Sequence, residues 1–171
     1  DMFESRAVDS NFATAHFPNI TIEDTVNNNR RVVVPASVAA LSALGFNDKV
    51  AFPWFAPAGF NRGALEFVKM TQVKVNQPER ERLYAVRINP IIKLPGEGFV
   101  IFFQQTLEQA GTALQSINVN RMVISLKQQI IDVGNSLIFE QLTPALRQRF
   151  IDLVKPILST VQVRDGIERF E

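Results

Sequence analysis

A general base needs an imidazole or carboxylate held by a partner beside a substrate. The chain offers one histidine, His16, set between Ala15 and Phe17, a setting that suits a packed residue better than a base. No Gly-x-Ser-x-Gly elbow is present to raise a serine nucleophile, although a triad of serine, histidine and acid drawn from distant positions stays open. The acidic pairs Glu23-Asp24 and Glu79 with Glu81 read as solvated charges, because adjacent side chains in strands or turns diverge. Gly59-x-x-x-Gly63 lacks the Lys-Ser/Thr of a phosphate loop, and Gly96-Glu97-Gly98 precedes a strand where a dinucleotide fold needs a helix. There is no cysteine, hence no disulfide framework and no thiolate metal site. Histidine and carboxylates show no metal-ligand spacing. No cofactor is expected. Asn19-Ile20-Thr21 matches the glycosylation triplet, but without a secretion signal the match reads as chance.

The residues with the most local information are instead 53–63, Pro-Trp-Phe-Ala-Pro-Ala-Gly-Phe-Asn-Arg-Gly. Pro53 and Pro57 fix φ and lack an N–H, while Gly59 and Gly63 open backbone angles closed to other residues. Aromatics in so irregular a run imply a packed loop of fixed shape in which no helix runs. Arg62, between Asn61 and Gly63, is the one charge in this run and could serve a partner. Otherwise the loop plugs the end of a core.

The elements that would position this loop read as a mixed fold. Residues 19–25 alternate, Asn27-Asn28-Asn29 turns, and Arg31-Val32-Val33-Val34 returns as a β-branched strand, which makes a hairpin. Pro35 opens a helix of small residues that Gly45 should end. Residues 66–75 alternate in part, and the polar 77–82 segment leads into a helix or turn ending near Tyr84. Residues 88–94 read as extended, Pro95-Gly96-Glu97-Gly98 as a tight turn, and the apolar run 99–103 as a buried strand covered on both faces. Thr106 should start a helix bearing Leu107, Ala110 and Leu114, and Asn120 should cap the next, with Val123, Leu126, Ile130, Val133 and Leu137 on its apolar face. Thr143-Pro144 is a cap followed by proline at the first helical position. Pro156 should kink or end that helix, and residues 161–166 look extended. The fold class is α+β: a mixed β-sheet with hairpins packed against several helices, the helices concentrated in the C-terminal third. With 171 residues and no linker or repeat, residues 1–171 suit one domain, large enough to bury about 70% of its unfolded surface.

Several motifs now fall in a meaningful order. Val34-Pro35-Ala36-Ser37 leads to Gly45-Phe46-Asn47-Asp48, then to Ala56-Pro57-Ala58-Gly59 and Asn61-Arg62-Gly63. Leu83-Tyr84, Ile88-Asn89-Pro90-Ile91, Pro95-Gly96-Glu97-Gly98, Gln104-Gln105-Thr106-Leu107, Ile117-Asn118-Val119-Asn120-Arg121 and Phe139-Glu140 follow. Over nearly all of residues 10–170 this series resembles the core of contractile tail sheath proteins. It departs at Phe103 and Gln105, where a Gly and an Arg are common, at Asn120, which replaces the first of a frequent Arg pair, and at Gln141-Leu142, where Pro-Asn is usual.

The resemblance implies a structural subunit, not an enzyme, one that polymerises around a tail tube and contracts to drive it through a host envelope. It implies other sheath subunits, the tube protein and a baseplate as partners, strand exchange through arms outside this chain, and a place in the virion tail after assembly in the host cytoplasm. It also implies a fragment of a longer subunit whose core presents an unpaired sheet edge. The loop residues Trp54, Pro57, Gly59, Asn61, Arg62 and Gly63 become its signature. Arg147, Arg149 and Lys155, near Asp152 on the helix begun at Thr143, become candidate tube or subunit contacts. A related bacterial contractile device fits equally. The alternative from another class is a small α+β hydrolase or ligand-binding domain whose aromatic loop walls a pocket near Trp54 and His16.

Composition bears on partners as well. Eighteen basic against 17 acidic residues give a net charge of +1, without the concentrated basic face that nucleic acid demands. No apolar run approaches a membrane span, and Asp1-Met2-Phe3-Glu4-Ser5-Arg6 is not a signal peptide. No membrane insertion is expected, and the chain reads as soluble. Hydrophobic residues make up 46%, with 14 Phe against one Trp and one Tyr. Core and contacts should therefore rest on apolar aromatic area that brings no hydroxyls to satisfy.

Overall fold

The computed structural model describes residues 8–96 and 98–170. The Glu97 position of the predicted turn and the predicted polar start at residues 1–6 lie outside the described residues. Two compact units are distinguished, residues 1–120 and 121–171.

The first unit carries all the strands. β1 (Ala15–Phe17), β5 (Ile88–Leu94) and β6 (Gly98–Ile101) form one three-stranded sheet in the order β1-β5-β6. β1 runs parallel to β5 and β6 antiparallel to it. β2 (Ile20–Asp24), β3 (Arg30–Val34) and β4 (Val68–Thr71) form a second, antiparallel sheet in the order β3-β2-β4. The β2–β3 hairpin turns where the asparagines stand, with Asn28 and Asn29 at φ near +55°, a region these short polar side chains tolerate. The Asp24 carboxylate braces that turn, accepting bonds from the Val26 and Asn27 N–H groups and the Asn27 amide. The Asn27 amide is the main reason the Asp24 pKa lies below the ordinary range.

α1 (Ala36–Val50) packs with Ala36, Ala39, Ala40, Ala43 and Asn47 buried, a stripe of near-helical period whose small side chains permit close approach. Ile20, Leu65, Val68, Ile91 and Ile101 join Ala36, Ala39 and Ala43 in one apolar cluster fed by both sheets. Ile20 is fully buried, which contributes about 1.5–3 kcal/mol. The helix runs past Gly45 against expectation. A mid-helix glycine costs only about 1 kcal/mol, and the next turn places Asn47 in the interior, where its amide reaches the Phe52 carbonyl at 3.4 Å.

α3 (Gln77–Ala85) begins with a reciprocal cap, Asn76 accepting from the Glu79 N–H and Glu79 accepting from the Asn76 N–H, which satisfies two orphan donors. The expected strand 99–103 is shortened to Gly98–Ile101. Phe102 and Phe103 leave it, and Phe103 meets Tyr84 edge to face at 5.0 Å.

The helix predicted from Thr106 is absent. Residues 105–116 form a loop closed at its base by the Thr106 N–H to Gln115 carbonyl bond, with the Thr106 hydroxyl donating to the Leu114 carbonyl. Thr106 thus holds a loop together from within, and Gly111 at φ +75° breaks any helical run. A single 3-10 turn at Ala113–Gln115 is all that remains of it.

α4 (Ile117–Asn135) starts three residues before Asn120, so this residue is inside the first turn and not a cap. In the second unit, α5 (Pro144–Val163) starts as predicted, with Thr143 Oγ1 accepting from the Leu146 N–H at 3.2 Å. It continues through Pro156 and across part of the segment expected to be extended. Pro156 and Asp152 are both exposed, so the carbonyl that proline leaves without an intrahelical donor can turn to water. Asp165, at φ +58°, follows the helix end.

Candidate functional site

The 53–63 segment is a clamped block. It contains one turn of helix, α2 (Gly59–Arg62), where the sequence suggested none; Gly59 at φ +77° provides the reversal of direction that lets a turn begin after Pro57. Phe52 and Trp54 stack with ring centroids 4.9 Å apart, and Phe55 lies 6.4 Å from Phe52. Arg62 turns back into the block: its Nε donates to the Ala56 carbonyl at 3.0 Å and its guanidinium sits 5.0 Å from the Phe55 ring centroid. Pro57 and Gly63 are buried, whereas Asn61 is exposed. A Cβ at Gly63 would lie 2.7 Å from backbone atoms of Ala58 and Gly59, so only glycine fits without backbone movement. Flanking it, the Gly63 carbonyl accepts from the Ile101 N–H at 2.9 Å, and the Leu65 N–H donates to the Phe99 carbonyl at 2.8 Å. The loop is thereby sewn to the outer edge of β6.

Four asparagines repeat one device across the unit. Asn89 is fully buried; its amide nitrogen donates to the Ala15 carbonyl at 3.1 Å and the Gln105 carbonyl at 2.8 Å, and its oxygen accepts from the Gln105 N–H at 2.6 Å. Asn118 donates to the Trp54 carbonyl at 3.2 Å, Asn47 to the Phe52 carbonyl, and Asn120 to the Asn11 carbonyl. Each joins segments that are distant in sequence or irregular in backbone, and each gives a main-chain carbonyl a side-chain donor. Sequence reasoning quoted these asparagines within its motifs without assigning them this work. Their signal is an amide placed among apolar neighbours, as in Ile88-Asn89-Pro90-Ile91.

His16 lies on β1 opposite Asn89 in the register. Burial pushes its pKa down to about 4, so it is neutral at pH 7, and its Nδ1 has no hydrogen-bond partner among the described residues. An imidazole without an orienting partner is poorly equipped as a base. A groove of about 680 Å³ bordered by β4 and β5 and a smaller one of about 230 Å³ beside β6 are lined by neither His16 nor Trp54. Among the described residues no group of three histidine or acidic side chains could hold a metal, and no helix is long and apolar enough to cross a membrane.

Arg147, Arg149 and Lys155 are all exposed on α5. Two residues apart, the arginines point to different sides of the helix, whereas Arg147 and Lys155 are closer in helical phase. The helix does not gather all three on one face. Gln148 and Asp152 are linked at 2.9 Å between them.

The first unit is thus an α+β core with a clamped aromatic loop, in which β3 and β4 each pair on one side only among the described residues. No family profile matches the chain. It is 33% identical over 144 residues to the tail sheath protein of Vibrio phage KVP40, a match covering 84% of this chain and 21% of that protein. With the tail sheath protein of Enterobacteria phage T4 it shares 35% identity over 102 residues, 60% of this chain and 15% of that one. The chain thus spans about a fifth or less of the length of these curated relatives. Among solved structures, its fold matches a chain of the anti-feeding prophage (AFP) baseplate with a TM-score of 0.81 at 19% identity, over 94% of this chain and 42% of that chain. It also matches the contracted sheath complex of the extracellular contractile injection system PVC, with a TM-score of 0.81 at 19% identity over 96% of this chain and 44% of that one. Over the region it shares with these relatives, the chain belongs to the contractile tail sheath family.

Proposed function

We propose that residues 1–171 act as one core of a sheath subunit that polymerises around a tail tube and contracts to drive the tube through a host envelope. The observation that carries this reading is the agreement of two independent matches along the chain, one in sequence to phage tail sheath proteins and one in fold to contractile injection structures. The work is mechanical. Energy would be held as differential contacts between an extended and a contracted packing, which requires no nucleotide and no cofactor.

In this reading the partners are other sheath subunits, the tube protein and the baseplate, with neither nucleic acid nor membrane engaged. Subunits assemble in the host cytoplasm and end in the virion tail, or in a bacterial contractile device of the same construction. Neighbours join by strand addition to open edges such as that of β3, which pairs only with β2 among the described residues. Arg147, Arg149 and Lys155 contact the tube or an adjacent subunit. Exposed pairs of this kind are each worth about 0–1 kcal/mol and so can be released row by row. Trp54, Pro57, Gly59, Asn61, Arg62 and Gly63 keep the core rigid, so that motion is confined to the connections between subunits.

Negative-stain electron microscopy of the longer parent protein, concentrated without tube protein, tests the reading. Hollow striated cylinders are expected; discrete small particles at every salt concentration would overturn it and favour an enzyme assay instead.

A further inference from the structure

Residues 9–14 lead into β1 and are held by polar bonds, not by burial. No residue from 8 to 15 is buried, and none belongs to the apolar cluster of the first unit. Instead the Asp9 carboxylate accepts from the Gln109 N–H at 2.9 Å, the Asn11 carbonyl from the Asn120 amide, and the Ala13 carbonyl from the Leu107 N–H at 2.9 Å. All three donors come from one stretch, residues 107–120. Asn120 is buried, and it stands where the chain departs from the arginine frequent in sheath cores. The next attachment is of another kind: the Ala15 carbonyl is gripped at 3.1 Å by Asn89, which is fully buried, and from Ala15 onward β1 is paired to β5.

A segment fastened by polar bonds at the surface exchanges them for bonds to water, so it opens at a lower free energy than one that must also bare apolar area. The three fastenings along residues 9–13 share one short segment. Losing any of them therefore loosens the hold of the others.

We propose that residues 9–14 form a strap that opens as one piece while β1 and the apolar cluster stay in place, and that a pull on the chain ahead of Asp9 is taken up there. Opening frees the Leu107 and Gln109 N–H groups and the Asn120 amide together, so the strap links the N-terminal end of the chain to the 105–116 loop and to the first turn of α4. The link is reciprocal: whatever loosens that first turn also loosens the strap. It rests on bonds within one chain and does not depend on the sheath reading.

Amide hydrogen exchange of the 171-residue chain reads the strap at groups a substitution does not touch. Asp9→Ala, at an exposed position, is read at Leu107, and Asn120→Leu at Leu107 and Gln109. Exchange at least about tenfold faster is expected in each case, while Thr106 and Ile117, whose N–H groups bond to the Gln115 and Gln104 carbonyls, keep their rates. An unchanged Leu107 in Asp9→Ala would mean that the bonds act singly; equal acceleration of Thr106 and Ile117 would make the segment part of the core. Either result overturns the strap, and should Asn120→Leu fail to fold, Asp9→Ala decides alone. The pull is tested in an optical trap with handles at residue 1 and at Ser37→Cys, the chain having no cysteine of its own. A first lengthening of no more than about 20 Å, the reach of six extended residues, should precede rupture of the sheets and come at lower force in Asp9→Ala. A first event that releases β1 as well, or a force unaltered by Asp9→Ala, overturns that role.

Discussion

Residues 8–120 and 121–170 solve the problem of stability differently. The first region closes on itself: one apolar cluster draws on α1 and both sheets, and asparagine amides tie its loops to its strands. In the second, Leu137 and Val161 are the buried apolar residues, while Ile138, Leu142, Ile151 and Val163 are exposed and Phe139 is entirely so. The first region gathers its buried aliphatics into one cluster, although Phe12, Val26 and Leu41 are exposed there too and the Asn47 and Asn118 amide oxygens have no hydrogen-bond partner among the described residues. A helical region with much apolar surface in water is suited to finding cover elsewhere.

The sharpest way to break the comparison is to remove an amide clamp. Asn89→Leu removes the amide bond to the Ala15 carbonyl and both bonds to the Gln105 main chain, the Gln105 carbonyl and N–H losing these partners. At about 1–3 kcal/mol for each orphaned group, a loss of roughly 3–5 kcal/mol is expected in denaturant unfolding. A loss under 1 kcal/mol would mean that the first region does not depend on its clamps.

The next effect is one of pH. The folded pKa of His16, about 4 against an ordinary 6.5, favours the neutral imidazole. Its stabilisation is therefore complete above pH 6.5 and lost as pH falls towards 4, up to roughly 3 kcal/mol. Unfolding midpoints between pH 7 and 4 should fall more steeply in the parent chain than in His16→Gln. Parallel profiles would show that His16 takes up its proton as readily folded as unfolded.

Gly63→Ala comes third. Its added Cβ meets backbone at 2.7 Å, and the strain should cost about 1–3 kcal/mol, visible as a lower melting temperature. The same change at Gly134, where a Cβ meets nothing within 4 Å, should stabilise α4 by about 0.5–1 kcal/mol.

The smallest effect on stability is expected where function is proposed. Arg147→Glu with Arg149→Glu changes two exposed side chains and should stay within about 0.5 kcal/mol of the parent. Pelleting of extended sheath with tube should nonetheless weaken. Unchanged tube binding would remove these arginines from the interface. Because they point to different sides of α5, the two single variants should differ, and that difference would name the face in contact.

The hairpin, α3 and the start of α5 were legible because their signals are local: alternation with an asparagine turn, a polar start into a helix, and threonine followed by proline. The sheath resemblance was legible because its motifs keep their order. Helix ends and the 105–116 loop were not. Thr106 and Asn120 look like caps in any local window, but Thr106 donates to the Leu114 carbonyl and Asn120 to the Asn11 carbonyl, and the second of these partners is not nearby in sequence. Gly45 looked like a stop, yet the burial of Asn47 carried the helix onward.

At the candidate site, the sequence by itself determined that residues 53–63 form a shaped aromatic loop, since proline and glycine restrict the backbone wherever they stand. Only the tertiary structure decided that Arg62 turns inward onto the Ala56 carbonyl and the Phe55 ring, that Arg147 and Arg149 diverge, and that β4 and β5 border one groove. Propensity acts through near neighbours along the chain, whereas pairing of buried amides, helix phase against a core and the sharing of a groove depend on which distant segments the fold brings together.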